Sequence, residues 1–444
     1  MKWRLDDPPN VNSTAHLVFE TVNSFLQHWP NTRMRNGHNI VPGSVPPGTL
    51  LYHGTWHSGL PPGPEWTATD PEHSILFCRN TNGEDGCWHL TLITTRPLKV
   101  VYFDGSSAAK GPSGMMDTQD IIAWGKVQPD WAYEERDRIE ALCEWGREYD
   151  VDGFVSEVML CNFTSSVRVV SSLTLAKPGT SPKASRMFEA IYAGSQHNCY
   201  PGETRVQLDL SGLVSFYDTE LVPSLVPARF ETERWTHPRL GEVLSRPAYR
   251  SGSGIDWLAL IRVVVDRYSE RLEFVHYLLN STGPDSSGSD NITDTAMKTQ
   301  VQLGNMLAPY ILVDVAPPST LSKTKEAGPA YRLCATTHTG MLKGGAMTSS
   351  EKLLLNAVHD TTREICRIWK KDIDELMAWL DWNAWVKCRP ACGPESVSRC
   401  LTGLRPRHPE NGDPRSPSPS QPPPAEDWER PQPRCIRRVD PYTI

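Results

Sequence analysis

The chain has 444 residues, 39% of them apolar and 22% charged, and its 52 acidic against 45 basic side chains leave a formal charge of −7. At roughly 150 residues per domain this length allows two or three domains. The acidic balance excludes bulk attraction to nucleic acid, which needs a basic face to displace counterions from phosphate. No apolar run reaches the ~18 residues of a membrane span, and the opening MKWRLDDPPN has no apolar signal-type core. The expectation is therefore a soluble intracellular chain. Four N-x-Ser/Thr sequons, at Asn12, Asn162, Asn280 and Asn291, support the alternative of a secretory lumen, reached through an upstream anchor missing from this sequence. The 11 cysteines, an odd total spread over a long chain, do not resemble the disulfide framework of a short secreted domain.

In chain order, residues 1–41 form an N-terminal segment with one expected helix over 15–28, where Leu17, Val18, Val22, Phe25 and Leu26 approximate one apolar face. From 42 to 178 short β-like runs alternate with turns and with two helical patterns, 71–79 and 134–149, which makes an α+β domain. PGTSPKAS, over 178–185, reads as a linker. The next region, 187–402, is expected to be mainly helical, with a possible hairpin made of 204–210 and 213–217. A helix is expected over 255–279, a disordered loop near 281–292, and a second long helix from Glu351 to about 387. Thr348-x-x-Glu351 is a capping box that opens this second helix. Beyond 403 the chain is proline-rich and nearly free of aliphatic residues, so 403–444 is expected to be disordered.

Three blocks of the α+β domain carry chemistry. The first is Leu51-Tyr52-His53-Gly54-Thr55, a strand that delivers a histidine and turns at glycine. The second runs from Glu65 to Cys78, a short strand whose Asp70-Pro71 step starts a helix with proline at or near N1. The third joins an Asp152-Gly153 turn to a strand headed by Glu157. In this order the blocks resemble the ADP-ribosyltransferase superfamily, in its His, aromatic, Glu branch of poly-ADP-ribose-polymerase type. The resemblance runs from Leu50 to Phe163; beyond it the chain resembles uncharacterised fungal proteins.

The resemblance implies a split β-sheet fold that uses NAD as substrate. It makes His53 and Glu157 the catalytic candidates. His53, Gly54, Trp66, Ser74 and Phe77 become the candidate NAD-binding residues, with Trp66 and Phe77, 11 positions apart, standing where the branch has tyrosines. The implied function is transfer of ADP-ribose from NAD to an unidentified acceptor, protein or otherwise, or to water. The alternative is the same fold without catalysis, acting as a binding or membrane-surface scaffold.

The residue types suit this chemistry on physical grounds. Breaking the nicotinamide–ribose bond develops positive charge on the sugar, which a fixed carboxylate stabilises. Oxidised nicotinamide is a flat cation that attracts aromatic faces, and a neutral imidazole can hold ribose hydroxyls. Each residue also has a plain structural reading: His53 as a satisfied strand-end histidine, Trp66 and Phe77 as core, Glu157 as a solvated charge and Ser74 as a helix-surface residue.

No metal site is expected. His53 and His57 sit on a β-like run rather than a helix, and Cys388, Cys392 and Cys400 are one thiol short of a tetrahedral set unless Cys435 or a histidine completes it. Trp369, Trp379, Trp382 and Trp385 lie among charges, which suits either docking on the protein or contact with a membrane surface.

Overall fold

The computed structural model describes residues 13–27, 37–78, 86–104, 116–155, 158–178, 180, 202–220, 237–246, 252–280, 289–312, 328–342, 347–367, 373–380, 396–400 and 433–437. The strands are β1 (Asn39–Val45), β2 (Leu50–Thr55), β3 (Glu65–Thr67), β4 (Cys87–Thr94), β5 (Leu98–Phe103), β6 (Gly153–Val155), β7 (Val158–Leu160), β8 (Val167–Ala176), β9 (Gln207–Leu208), β10 (Val214–Ser215), β11 (Ser396–Cys400) and β12 (Pro433–Arg437). The helices of the first part are α1 (Ala15–Asn23), α2 (Pro71–Ile75), α3 (Asp117–Trp124), α4 (Glu135–Gly146) and α5 (Phe163–Ser166). Those of the second are α6 (His237–Leu244), α7 (Trp257–Asn280), α8 (Ser289–Leu307), α9 (Pro329–Thr336), α10 (Ser349–Arg367) and α11 (Ile373–Leu380).

The result is an α+β protein with a sheet-bearing N-terminal part and a helical C-terminal region. One seven-stranded sheet runs β10-β1-β5-β6-β7-β3, with β9 also on β1, and a second, three-stranded sheet runs β2-β4-β8. Alternation along each strand splits the larger sheet's side chains between two cores, as the period of two requires. Leu98, Val100 and Tyr102 of β5 face a core shared with α1, α7, α10 and α11. Val101 and Phe103 face the other, with Ile139 and Leu142 of α4 and Leu240 and Val243 of α6. Among the described residues, the two sheets meet at one isolated antiparallel bridge, where Tyr52 and Ala68 exchange backbone hydrogen bonds of 2.8 and 2.7 Å.

Several local expectations change in the tertiary context. The hairpin does not form: β9 and β10 each pair with β1 instead, so the sheet draws two strands from beyond residue 178. The capping box does form, with the Thr348 N–H donating to Glu351 Oε2 at 2.9 Å and the Glu351 N–H to Thr348 Oγ1 at 3.1 Å. The helix it opens is described as far as Arg367 and helix again spans Ile373–Leu380; residues 368–372 and 381–387 of the expected span lie outside the described residues. Of the loop expected near 281–292, residues 289–292 belong to α8 and 281–288 are not described. Within the expected disordered tail, Pro433–Arg437 pairs with Ser396–Cys400, and the rest lies outside the described residues. Among the described residues no helix is long and apolar enough to cross a membrane.

The cysteines give the clearest correction. Among the described residues, three disulfides join Cys78 to Cys87, Cys143 to Cys161 and Cys334 to Cys366, with Cα separations of 4.9, 5.5 and 6.0 Å. All three lie in the usual window for such bridges. The odd total concealed this pairing, because the partners come together only when strands and helices pack.

Candidate active site

Three segments distant in sequence lie side by side. β2 carries His53 and Gly54 and bridges to Ala68, which follows β3; β3 in turn pairs antiparallel with β7, Glu65 opposite Leu160, Trp66 opposite Met159 and Thr67 opposite Val158. Val158 directly follows Glu157 in the chain; Glu157 itself lies outside the described residues.

His53 is 7% exposed and shares its strand face with Leu51, beside Leu90 and Leu92 in the core and the ring of Phe163 at 5.8 Å. Its Nδ1 lies 2.7 Å from the Trp66 carbonyl oxygen. A carbonyl only accepts, so Nδ1 carries the proton and Nε2 is left as an acceptor. Burial lowers the His53 pKa, against smaller raising effects of this hydrogen bond and of Glu65. The ring is therefore neutral near pH 7, a single-acceptor imidazole of fixed tautomer.

Gly54 faces α2 at backbone contact: a Cβ built there would lie 1.8 Å from the Ser74 carbonyl oxygen. Only glycine permits this approach. Asp70 precedes α2 and Pro71 opens it, as the Asp-Pro step implies, and buried Ser74 donates from Oγ to the Pro71 carbonyl at 2.8 Å. Ser74 is thus not the solvent-facing residue of its plain reading. A 3-10 turn, Leu76–Cys78, continues the helix, and the Cys78–Cys87 bridge ties its end to β4.

The two aromatic candidates part company. Phe77 is 51% exposed and stacks on His73 at 5.5 Å between ring centroids. Trp66 is half-buried and packs against the cluster of Phe154 and Met159, away from the core that holds His53. The structure thus joins His53, Gly54, Ser74 and the Trp66 backbone, while the Trp66 indole belongs to packing against the α4 side.

Sequence reasoning passed over two neighbours. His89 lies opposite Gly54 on β4 and stacks on Tyr52 at 5.8 Å with rings 14° apart, and burial lowers its pKa, helped by nearby His53. Arg205 donates from Nη1 to the Thr69 carbonyl at 2.5 Å and holds Glu203, which fixes the β3–α2 connection from a distant segment. The alternating pattern of CWHLTLIT could have flagged His89; nothing local could have flagged Arg205.

The Asp152-Gly153 turn is built for packing. Arg96 grips the Asp152 carboxylate in a two-point ion pair, the Lys99 N–H donates to the same carboxylate at 2.8 Å, and a Cβ at Gly153 would meet the Met159 carbonyl at 2.2 Å. The Cys143–Cys161 bridge then joins α4 to the residue after β7. A separate cavity of about 810 Å³ lies between β1, β9 and α7, and none of the candidate residues lines it.

Among the tryptophans of the C-terminal region, Trp379 packs on His16 of α1 with ring centroids 4.3 Å apart and planes tilted by 34°, and Leu376 and Leu380 of the same helix are buried. That face of α11 docks on protein. Trp369, Trp382 and Trp385 lie outside the described residues, as do Cys388 and Cys392.

Residues 80–181 match the family described as the YPL277C N-terminal domain, a stretch that includes β4 to β8 and two of the disulfides' partner pairs in part or whole. Two Saccharomyces cerevisiae proteins, uncharacterized proteins YPL277C and YOR389W, are 30% and 31% identical over 218 and 217 residues, covering 38% of this chain. The chain spans 44% and 34% of the lengths of these relatives. No solved structure matches it.

Proposed function

We propose that the β2–β3–β7 edge binds NAD and transfers ADP-ribose to an acceptor or to water. The observation that supports this most is the assembly of all three sequence blocks into one continuous strand neighbourhood, with His53 neutral and its Nε2 unspent. In this reading Nε2 accepts a hydrogen bond from a ribose hydroxyl, the Gly54 backbone and Ser74 border the nicotinamide amide, and exposed Phe77 offers its ring to the flat cation. Trp66 acts through its carbonyl, which fixes the His53 tautomer, rather than through its indole. Glu157 supplies the negative charge that stabilises the oxocarbenium-like sugar.

Glu157→Gln keeps size and removes charge, so turnover of NAD should fall about 10²–10³-fold with little change in NAD affinity. An unchanged rate in this variant, or a wild-type chain that binds no NAD by calorimetry, refutes the reading. As to compartment, the three bridges support maturation where thiols oxidise, since cytosolic glutathione keeps most cysteines reduced.

A further inference from the structure

We infer that Asn162 and Asn280 carry N-linked glycans. The inference rests on the oxidising-compartment reading above and is independent of NAD chemistry. Three separate parts of the fold are cross-linked: the turn after α2 to β4, α4 to the end of β7, and α9 to α10. Cys78, Cys334 and Cys366 have no exposed surface and Cys87 almost none. Bridges this well sealed belong to the folded core and form as the chain folds, in the compartment where oligosaccharide transfer also takes place.

The sequon geometry is the second observation. In Asn162-Phe163-Thr164 the middle residue is anchored in the core while Asn162 and Thr164 are both exposed. Asn162 caps α5 by accepting the Ser165 N–H on Oδ1 at 3.1 Å. The glycan attaches to the other amide atom: an Nδ2–H bond is replaced by a bond from Nδ2 to the sugar's anomeric carbon, and the lipid diphosphate of the oligosaccharide donor leaves as the proton is lost. The carbonyl oxygen survives, so the cap persists under the glycan. Asn280 ends α7, exposed, with Nδ2 3.0 Å from His276 Nε2. Its amide keeps one N–H after modification and can continue that bond.

The test isolates the full chain from the cells that naturally make it, alkylates free thiols before any reduction, and then treats it with peptide N-glycosidase in heavy-oxygen water. The expected result is labelled deamidation at Asn162 and Asn280, a gel shift on digestion, and the loss of one step of that shift in each of Asn162→Gln and Asn280→Gln. Cys78, Cys87, Cys143, Cys161, Cys334 and Cys366 should resist alkylation until reduced. Unmodified Asn162 and Asn280 with protected thiols overturn the glycan inference and leave the compartment reading standing. Unmodified asparagines with all six thiols alkylated overturn both.

Discussion

Gly54→Ala tests the candidate site at its tightest point. The added methyl group would sit 1.8 Å from the Ser74 carbonyl oxygen and 2.7 Å from its carbon, about 1.6 Å short of the 3.4 Å where ordinary contact begins. Both obstructing atoms are backbone, so no rotamer change relieves the clash. β2 cannot yield easily, because residues 50–55 pair throughout with β4. Nor can the segment after Ser74, because the Cys78–Cys87 bridge ties it to that same β4. Overpacking usually costs 1–3 kcal/mol, and an overlap against two restrained backbones belongs at the upper end, about 3 kcal/mol. Urea unfolding should show the loss as a lower midpoint at unchanged slope. Gly59→Ala and Gly63→Ala, where a Cβ meets nothing within 4 Å, should move the midpoint by less than about 0.5 kcal/mol. NAD binding should vanish in Gly54→Ala at temperatures where it remains folded. A Gly54→Ala midpoint equal to that of Gly63→Ala would refute the close approach and the site built on it.

Removing the Cys143–Cys161 bridge by paired serine substitutions should destabilise the protein by about 3 kcal/mol, because the bridge closes a loop over an 18-residue separation; urea titration measures it. His53→Ala should weaken NAD binding in calorimetry more than it lowers turnover at saturation. Because burial lowers the pKa of both His53 and His89, the unfolded chain binds more protons than the folded one below about pH 6.5. Stability should therefore fall as pH drops through that window, and replacing both histidines by glutamine should flatten the fall in urea midpoints. Trp379→Ala should cost about 2–3 kcal/mol by loss of the half-buried contact with His16, and liposome binding should be unaffected; an unchanged melting temperature with lost liposome binding would favour the membrane-surface alternative.

Local sequence was sufficient wherever local physics decides. The apolar spacing of 257, 261, 264, 268, 272 and 275 reappears as the buried stripe of α7, though its last expected position, Leu279, is exposed and Leu278 is buried instead; Thr348 with Glu351 caps α10 by the reciprocal bonds its spacing implies. The Asp70-Pro71 step starts α2 for the same reason, proline's fixed φ and missing donor. Tertiary structure decided what depends on partners far along the chain. Residues 207–208 and 214–215 carry strand propensity but chose β1, which no short-range rule could select, over each other. Trp66 and Phe77 look equivalent by spacing, yet strand alternation on β3 sends the indole against Phe154 while the turn after α2 leaves Phe77 exposed. The cysteine pairs, the Arg205 grip on Thr69 and the tautomer of His53 likewise arise from contacts between segments. The sequence by itself determined where helices begin, which faces are apolar and which residues have suitable chemistry; packing alone decided which of those residues meet, because proximity across a sheet is a property of register and not of spacing.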